Sequence, residues 1–338
     1  MGAVGNTLLR LTDLTVDFAS QEGTVHAVDR VTFEVAPGEL VGLVGESGCG
    51  KSVTASAIIG LTGMVPNATV SGSIEFIGRD LLTMAESDVR AIRGRDISMI
   101  FQDPVTSLNP VLNIERLMTE GLELHLGLSH ADAVTRSIEL LGEVGIPKAA
   151  NRIKDYPHQF SGGMRQRVMI AIAISCNPKL LLADEPTTAL DVTIQAQILR
   201  LLKKLAREHE AAVIVITHDL GVVAGMCQRI LVMYAGRIVE SGPAKPLFAH
   251  PHHPYTVGLL KSVPRLNEPR AETLQTIAGL PPDLANLPPG CAFAPRCYLA
   301  TDECWATGPE LAVTDQGRRS ACFHSDQLRE DESAEVPA

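Results

Sequence analysis

Short apolar runs and one glycine-rich turn dominate the first fifty residues of the chain. Residues 8–18 and 24–35 alternate apolar and polar positions, the period of two expected for strands that bury one face. Leu40–Val44 is apolar apart from one glycine, which is typical of a fully buried strand. We therefore predict two antiparallel strands, a buried strand, a glycine-rich turn and a helix that begins near Lys51.

The middle of the chain predicts helices followed by a βαβ unit. Helical periodicity covers most of residues 111–176, after a short apolar strand at 97–101. Leu180–Ala183 and 212–217 are continuous apolar runs of strand length, and the helical segment 193–210 separates them. Such runs suit a parallel sheet that is covered on both faces. The pattern therefore predicts an α/β fold.

Composition and charge restrict the class of protein. The length of 338 residues suggests two units of unequal size. A net charge of −10 argues against a nucleic-acid surface, which needs a basic stripe. No run reaches the roughly 18 apolar residues of a membrane helix, and the N-terminal segment lacks the order of a signal peptide. We expect a cytoplasmic location and no nucleic-acid partner.

The glycine-rich turn has the sequence of a phosphate-binding loop. It fits the pattern G-x-x-x-x-G-K-[ST] with Gly45, Glu46, Ser47, Gly48, Cys49, Gly50, Lys51 and Ser52. Glycines let the backbone wrap a phosphate, and the following helix N-terminus favours negative charge. We predict that Lys51 contacts the β- and γ-phosphates of ATP and that Ser52 is a ligand of Mg²⁺. Cys49 is expected to be a small filler.

Polar residues follow three of the apolar strands. Asp184 and Glu185 end one of them, and the carboxyl ends of parallel strands face the ligand crevice. Asp184 is therefore expected to hold Mg²⁺, and Glu185 to polarise the attacking water. Gln102 and His218 follow two other strands. We expect Gln102 to reach Mg²⁺ or the water, and His218 to sense the γ-phosphate.

A second candidate anion site lies about 20 residues before Asp184. Ser161 can cap a helix whose first amides are exposed by Gly162 and Gly163. The string Phe160-Ser161-Gly162-Gly163-Met164 resembles the signature motif of ATP-binding cassette (ABC) transporter subunits, ordinarily LSGGQ. Met164 departs from that motif, and methionine at this position resembles the peptide-importer branch of the family. The resemblance implies that Ser161–Met164 contacts ATP held by a partner subunit.

Further residues match the same family. Thr188–Asp191 resembles the loop that couples the two ATP sites of the cassette dimer, and Phe18 lies where an aromatic ring usually stacks on adenine. A strand-core role for Phe18 is the competing interpretation. The resemblance also includes Val53, the residue after Ser52, among the nucleotide-binding positions.

The resemblance extends to one branch of the family. Gln102–Pro110 is similar to the Gln loop of oligopeptide, dipeptide and nickel importers, and residues 250–264 are similar to the start of their C-terminal extension. His252 and His253 in that stretch are expected in a solvated loop rather than as metal ligands. Four later cysteines fall where some members carry a [4Fe–4S] cluster, with zinc or no metal as alternatives: Cys291, Cys297, Cys304 and Cys322.

The expected fold is therefore that of a P-loop NTPase of the ABC nucleotide-binding type. It has a RecA-like parallel sheet core, an antiparallel β subdomain and a helical subdomain at about 108–176. We predict an ATP-binding domain at 6–245, a small irregular metal-binding extension at 246–324 and a disordered tail at 325–338.

The resemblance implies an ATP-hydrolysing, energy-coupling subunit at the cytoplasmic face of the inner membrane. Its expected partners are two integral membrane permease subunits, a related but non-identical second ABC ATPase subunit and, indirectly, an extracytoplasmic solute-binding protein. Oligopeptides or dipeptides are the favoured solutes, and nickel is the alternative. A soluble, non-transport ABC ATPase is the rival function, although the importer-like extension argues against it.

Overall fold

The computed structural model of the chain describes residues 7–21, 23–188, 190–262, 277–315 and 317–330. The chain divides into two compact units. The first consists of Met1–Leu9, Val35–Glu39 and Phe76–Ile216, and the second of Arg10–Glu34, Leu40–Glu75 and Thr217–Ala338.

The strands are, in chain order, β1 Leu9–Ser20, β2 Gly23–Val35, β3 Leu40–Val44, β4 Ala68–Phe76, β5 Arg79–Asp80, β6 Ile97–Ile100, β7 Leu180–Asp184, β8 Ala212–Thr217, β9 Arg229–Tyr234, β10 Arg237–Pro243, β11 Ala312–Val313 and β12 Arg319–Ser320.

The α-helices are α1 Lys51–Ile58, α2 Glu86–Ile92, α3 Pro104–Ser107, α4 Ile114–Leu126, α5 His130–Glu143, α6 Ala149–Arg152, α7 Gly162–Ile174, α8 Val192–Glu208, α9 Leu220–Ala224, α10 Ala244–Ala249, α11 Pro254–Lys261, α12 Asp302–Ala306 and α13 Ser325–Glu330. Short 3-10 helices cover Thr62–Met64, Pro157–Gln159 and Ala294–Arg296.

The first unit is built on the parallel strands β6, β7 and β8. Ile100 pairs with Ala183, and Asp184 pairs with Ile216, so the carboxyl ends of all three strands lie at one edge. Every residue of the three strands is buried, which explains their uninterrupted apolar sequences. Helices α4, α5 and α7 pack against one another in the same unit.

The second unit combines parallel and antiparallel pairing. Strand β3 runs parallel to β9, which forms a hairpin with β10. Ala235 and Gly236 at the hairpin turn both have positive φ, as the tight turn of a two-residue hairpin requires. Strand β12 joins β10, and β11 joins β12. Strands β2, β1 and β4 are hydrogen-bonded in that order in a separate sheet.

Most predicted elements are confirmed. The strand at Leu40–Val44 and the strand at 212–217 have the predicted bounds, and α1 begins at Lys51. The sequence predicts a disordered tail from residue 325, whereas Ser325–Glu330 form α13 and residues 331–338 lie outside the described residues. Within the described residues, no helix combines the length and apolar character needed to cross a membrane.

Candidate active site

The phosphate loop connects β3 to α1, and two of its glycines are required by close backbone contacts. A Cβ at Gly45 would collide with the carbonyl oxygen of Met233, and one at Gly50 would collide with that of Ala27. Gly50 also has a φ of 105°, which other residues rarely adopt. The loop is therefore packed tightly against its own unit, and its shape depends on glycine at these positions.

Lys51 lies inside the loop. Its Nζ donates hydrogen bonds to the carbonyl oxygens of Gly45, at 2.8 Å, and Glu46, at 2.7 Å. The side chain of Cys49 is buried beneath the loop, and this burial raises the pKa of its thiol, which supports the predicted filler role. Of the other predicted loop contacts, Ser47, Gly48 and Ser52 are exposed and Val53 is half-buried.

In the first unit the structure brings Gln102, Glu185 and Thr188 together. The Gln102 side-chain amide and the Thr188 hydroxyl both donate to Oε2 of Glu185, at 2.9 and 2.8 Å. Glu185 has a φ of 44°, and its backbone N–H donates to the carbonyl oxygen of Ile216. The Glu185 carboxylate is thus oriented by two donors, while Asp184 before it is buried at the end of β7.

Thr188 was not among the residues assigned to this site from sequence. Thr188 lies at the start of the segment that resembles the coupling loop. It follows Glu185 by three residues, which is the spacing of a tight turn. The Thr188 N–H closes this turn by donating to the Glu185 carbonyl oxygen. That spacing is a local signal which could have indicated the contact. Ala189 of the same segment lies outside the described residues.

His218 and Phe18 are placed as the strand pattern predicts. His218 is exposed and follows directly after the last residue of β8. Phe18 is half-buried near the end of β1, so it is neither a core residue nor a fully exposed one. Their roles in sensing phosphate and stacking on adenine stay predictions.

The signature segment begins helix α7. Ser161 occupies the N-cap position but makes no side-chain capping hydrogen bond. Gly163 packs so closely on α8 that an added Cβ would approach Cγ2 of Ile194 to 2.9 Å. Met164 accepts a hydrogen bond from Nη1 of Arg152 at its sulfur, at 3.7 Å. The predicted capping bond from Ser161 is therefore absent, and the hydroxyl of this exposed serine is not used to cap the helix.

The four C-terminal cysteines line one small cavity. Its wall also includes His324, and the cysteines are Cys291, Cys297, Cys304 and Cys322. The backbone N–H of Leu299 donates to the sulfur of Cys297, and that of His324 donates to the sulfur of Cys322. The structure thus brings the predicted thiols together, although they are spread along 32 residues of sequence.

A metal centre in this cavity is not supported by the side chains as they stand. Within the described residues, no group of three or more His, Cys, Asp or Glu side chains could hold a metal ion. Burial raises the pKa of Cys291 and Cys297, and that of Cys322 to about 12. Metals bind thiolate, so a metal ion in this cavity would have to displace the protons of these thiols.

The expectation of a solvated loop at the histidine pair is wrong. His252 and His253 are both 2% exposed. Nδ1 of His253 accepts from the N–H of Tyr255 and caps α11, and burial lowers the pKa of this imidazole to about 3. The packing of this segment on its own unit buries both rings.

Two contacts to the phosphate loop were not predicted. Tyr255 and Arg296 from the C-terminal region both bond to Glu46. They lie more than 200 residues after the loop, at separations of 209 and 250 residues. No local pattern in the sequence indicates contacts at such a distance.

Comparison with known proteins decides the family. A family model described as "ABC transporter" matches residues 28–188, and one described as "Oligopeptide/dipeptide transporter, C-terminal region" matches residues 239–304. The oligopeptide transport ATP-binding protein OppD of Salmonella typhimurium is 53% identical over 318 residues, which are 94% of each chain. The chain belongs to the ABC transporter family.

Other relatives agree with this assignment. The oligopeptide transport ATP-binding protein AppD of Bacillus subtilis is 49% identical over 98% of this cassette and 99% of that protein. Among solved structures, the dimeric ATP-binding cassette MJ0796 with bound ADP and Pi matches 70% of this cassette and 99% of its own chain, with a TM-score of 0.62 and 28% identity. The cassette is therefore an ATPase with the mixed α/β fold of ABC nucleotide-binding domains. Membership of the family implies a dimeric arrangement and membrane permease partners.

Proposed function

We propose that this cassette couples ATP hydrolysis to the import of oligopeptides or dipeptides through a membrane transporter. One observation carries the proposal, namely a single chain that contains both the ABC cassette and a region matching the oligopeptide/dipeptide transporter C-terminal family. The names of OppD and AppD, which the chain matches over nearly its full length, support the same solute. Nickel import is the alternative.

In this proposal the loop Gly45–Ser52 holds the triphosphate. The ammonium of Lys51, which is already inside the loop, compensates the charge of the phosphates. The Ser52 hydroxyl, the Asp184 carboxylate and the Gln102 amide are oxygen donors of the type that Mg²⁺ prefers. When bound, Mg²⁺ would neutralise the negative charge that develops on the phosphates.

Glu185 is the proposed residue that polarises the attacking water. Its carboxylate accepts hydrogen bonds from Gln102 and Thr188 at a single oxygen, Oε2. Those two bonds fix the orientation of the carboxylate that is proposed to accept a water proton. His218, exposed at the end of β8, is proposed to contact the γ-phosphate, and Phe18 to stack on adenine.

The second half of each ATP site is proposed to come from a partner cassette. The start of α7, from its N-cap Ser161 to Met164, consists of exposed or half-exposed residues. Helix N-termini favour phosphate. We propose that the partner is a related, non-identical chain, and that residues 102–110 contact permeases at the cytoplasmic face of the inner membrane. An extracytoplasmic solute-binding protein would deliver the solute.

The division of the chain follows the same proposal. Residues 6–245 form the ATP-binding domain, with a helical subdomain at about 108–176, and residues 246–324 form the importer-type extension. Residues 263–276 of that extension lie outside the described residues.

The four-thiol cavity is proposed to take an iron–sulfur cluster, with zinc as the alternative. The proposal is supported by the four thiols that line one cavity and by the two backbone N–H groups that donate to their sulfurs; binding would require the thiols to move into coordinating positions. Anaerobically purified protein should contain iron and sulfide and absorb visible light, and Cys304→Ser should lose this absorbance while Cys176→Ser keeps it. Zinc content without visible absorbance would favour the alternative.

Co-purification and transport assays test the proposed function. The cassette should co-purify with two integral membrane proteins, and its ATPase rate in vesicles should rise when peptide-loaded solute-binding protein is added. The Glu185→Gln variant serves as the inactive control. Stimulation by nickel but not by peptides would overturn the proposed solute, and the absence of membrane partners would overturn the transport function.

A further inference from the structure

The phosphate loop carries a negative charge of its own. Glu46 is its second residue, and the loop collects amide N–H groups that bind an anion. An unpaired carboxylate at this position would oppose the binding of a triphosphate, since like charges repel each other most strongly where water is partly excluded. Neutralisation of Glu46 would therefore favour the binding of a triphosphate to this loop.

Arg296, in the C-terminal region of the same unit, provides this neutralisation. Its Nη1 donates to Oε2 of Glu46 at 2.6 Å, and its Nη2 donates to Oε1 at 2.9 Å. The Arg296 side chain is only 5% exposed, against 25% for Glu46. The hydrogen bonds to Glu46 raise the pKa of the guanidinium further, so the positive charge is permanent. A partly buried ion pair with two parallel hydrogen bonds is the strong form of this interaction.

Arg296 is itself fixed in place. Its Nε donates to the carbonyl oxygen of Ala278 at 2.9 Å. The guanidinium carbon lies 5.9 Å from the ring centroids of Tyr234 and Phe293, within reach of a cation–π contact. These contacts hold the Arg296 side chain next to Glu46, so the side chain is ordered before a nucleotide binds.

Tyr255 holds the backbone of the same loop residue. The Glu46 N–H donates to Oη of Tyr255 at 2.7 Å. Tyr255 is fully buried and its ring lies 4.6 Å from that of Tyr234, while burial raises the pKa of its hydroxyl. With the Lys51 bond to its carbonyl oxygen, Glu46 has its N–H, its C=O and its carboxylate all bonded.

We propose that Arg296 is a positioning residue for ATP binding: it neutralises Glu46 and holds the phosphate loop, with Tyr255, in its binding shape. The nucleotide affinity of the cassette then depends on a side chain of the C-terminal extension. The inference rests on the proposed role of Gly45–Ser52 as the ATP site. A merely structural role would lower the melting temperature without a specific effect on ATP affinity.

The test uses the full chain with Mg-ATP, measured by calorimetry and by steady-state ATPase kinetics. Arg296→Met should weaken ATP binding and raise KM about tenfold, the equivalent of one decade in Kd, while kcat at saturating ATP changes less than about twofold. Adding Glu46→Gln to Arg296→Met should restore affinity to within about threefold, because the unpaired carboxylate is gone. Arg296→Lys should give an intermediate loss.

Matched variants decide between outcomes. Arg10→Met removes an exposed arginine–glutamate pair of 2.7 Å in the same unit and should leave Kd and KM unchanged. Unchanged affinity in Arg296→Met, or a double variant as weak as the single one, would overturn the proposal.

If Arg296→Met does not fold, the Glu46→Gln variant alone tests the proposal. This variant should bind ATP at least as tightly as the parent, and a loss of affinity above about threefold would contradict neutralisation. Undiminished binding in Lys51→Ala would instead show that the proposed ATP site is wrong.

Discussion

At the scale of single residues, Glu185 is held in a way that suits an acceptor of water protons. Two donors, Gln102 and Thr188, converge on one carboxylate oxygen, and the residue adopts a left-handed backbone at φ 44°. Uncommon backbone conformations of this kind persist where the surrounding structure enforces them. The bonding therefore orients a side chain that the sequence assigns to hydrolysis.

We predict that Glu185→Gln keeps ATP affinity within about threefold and lowers turnover at least about 100-fold, the usual effect of losing a general base. The amide is similar in size but cannot accept a proton. ATP binding by calorimetry and phosphate release by a coupled assay measure the two effects. Glu120→Gln, at an exposed position of α4, is the control. Turnover at the parent rate in Glu185→Gln would show that the assigned base is wrong.

Lys51 gives a second prediction at this scale. Its ammonium bonds two loop carbonyl oxygens, so Lys51→Ala removes both the charge facing the phosphates and a support of the loop. Affinity for Mg-ATP should fall about tenfold or more, that is by at least ~1.4 kcal/mol. Calorimetry with the parent and with Lys154→Ala, an exposed lysine, provides the comparison.

At the scale of elements, the contact between α7 and α8 limits what the signature segment can accept. A Cβ at Gly163 would lie 2.9 Å from Cγ2 of Ile194, whereas one at Gly142 of α5 meets nothing within 4 Å. Gly163→Ala should therefore shift the start of α7, and with it Ser161, while Gly142→Ala removes a helical glycine without a clash.

We predict that Gly163→Ala lowers turnover about tenfold, equivalent to ~1.4 kcal/mol of barrier, with ATP binding by the single chain unchanged. Ile194→Ala, which removes the clashing branch, should restore turnover in the double variant. Gly142→Ala should match the parent in activity and melt at the same or a slightly higher temperature. Failure of Ile194→Ala to rescue would place the effect of Gly163 elsewhere.

The elements that sequence predicts best are those whose pattern reflects a uniform environment. Leu40–Val44 and Ala212–Thr217 are buried along their whole length, so an unbroken apolar run marks their bounds. The burial of His252 and His253 could not be predicted, because it comes from tertiary packing rather than from periodicity. For the same reason the bonds of Tyr255 and Arg296 to Glu46 have no local signal in the sequence.

For the candidate site, the sequence indicates which residues to consider, and their roles stay predictions. Short motifs indicated Lys51, Glu185 and Ser161, because each chemistry restricts residue type and spacing within a few positions. The missing capping bond of Ser161 and the arrangement of the four thiols depend on side-chain conformations, which spacing does not determine. The cysteine spacing indicated a common site, and the fold places the four thiols around one cavity. The spacing did not determine whether their arrangement suits a metal.

At the scale of the whole molecule, a buried carboxyl group links pH to stability. Glu240 in β10 is fully buried, and burial raises its pKa from 4.5 to about 7. The N–H of His252 and the guanidinium of Arg318 donate to its Oε1. Oδ1 of Asp315 lies 3.9 Å from Nδ1 of His252 and 3.9 Å from Nε of Arg318, so a second carboxylate contacts the residues that bond to Glu240.

The unfolded chain loses the Glu240 proton above pH 4.5, whereas the folded chain retains it until about pH 7. The folded state therefore binds more protons in this range, and the free energy of unfolding should fall as pH rises from 4.5 to about 7. Glu240→Gln should flatten this part of the profile. Urea unfolding of parent and variant across that range measures it, and parallel profiles would contradict the assignment to Glu240.

Helix α12 places Cys304, which lines the thiol cavity, directly before Trp305, the single tryptophan of the chain. The indole is 46% exposed. Its emission therefore reports on the C-terminal region alone, without any label. A coloured centre in the adjoining cavity would quench that emission by energy transfer, whereas a colourless zinc ion would not. The chain thus carries its own fluorescent probe for the occupancy of the cavity.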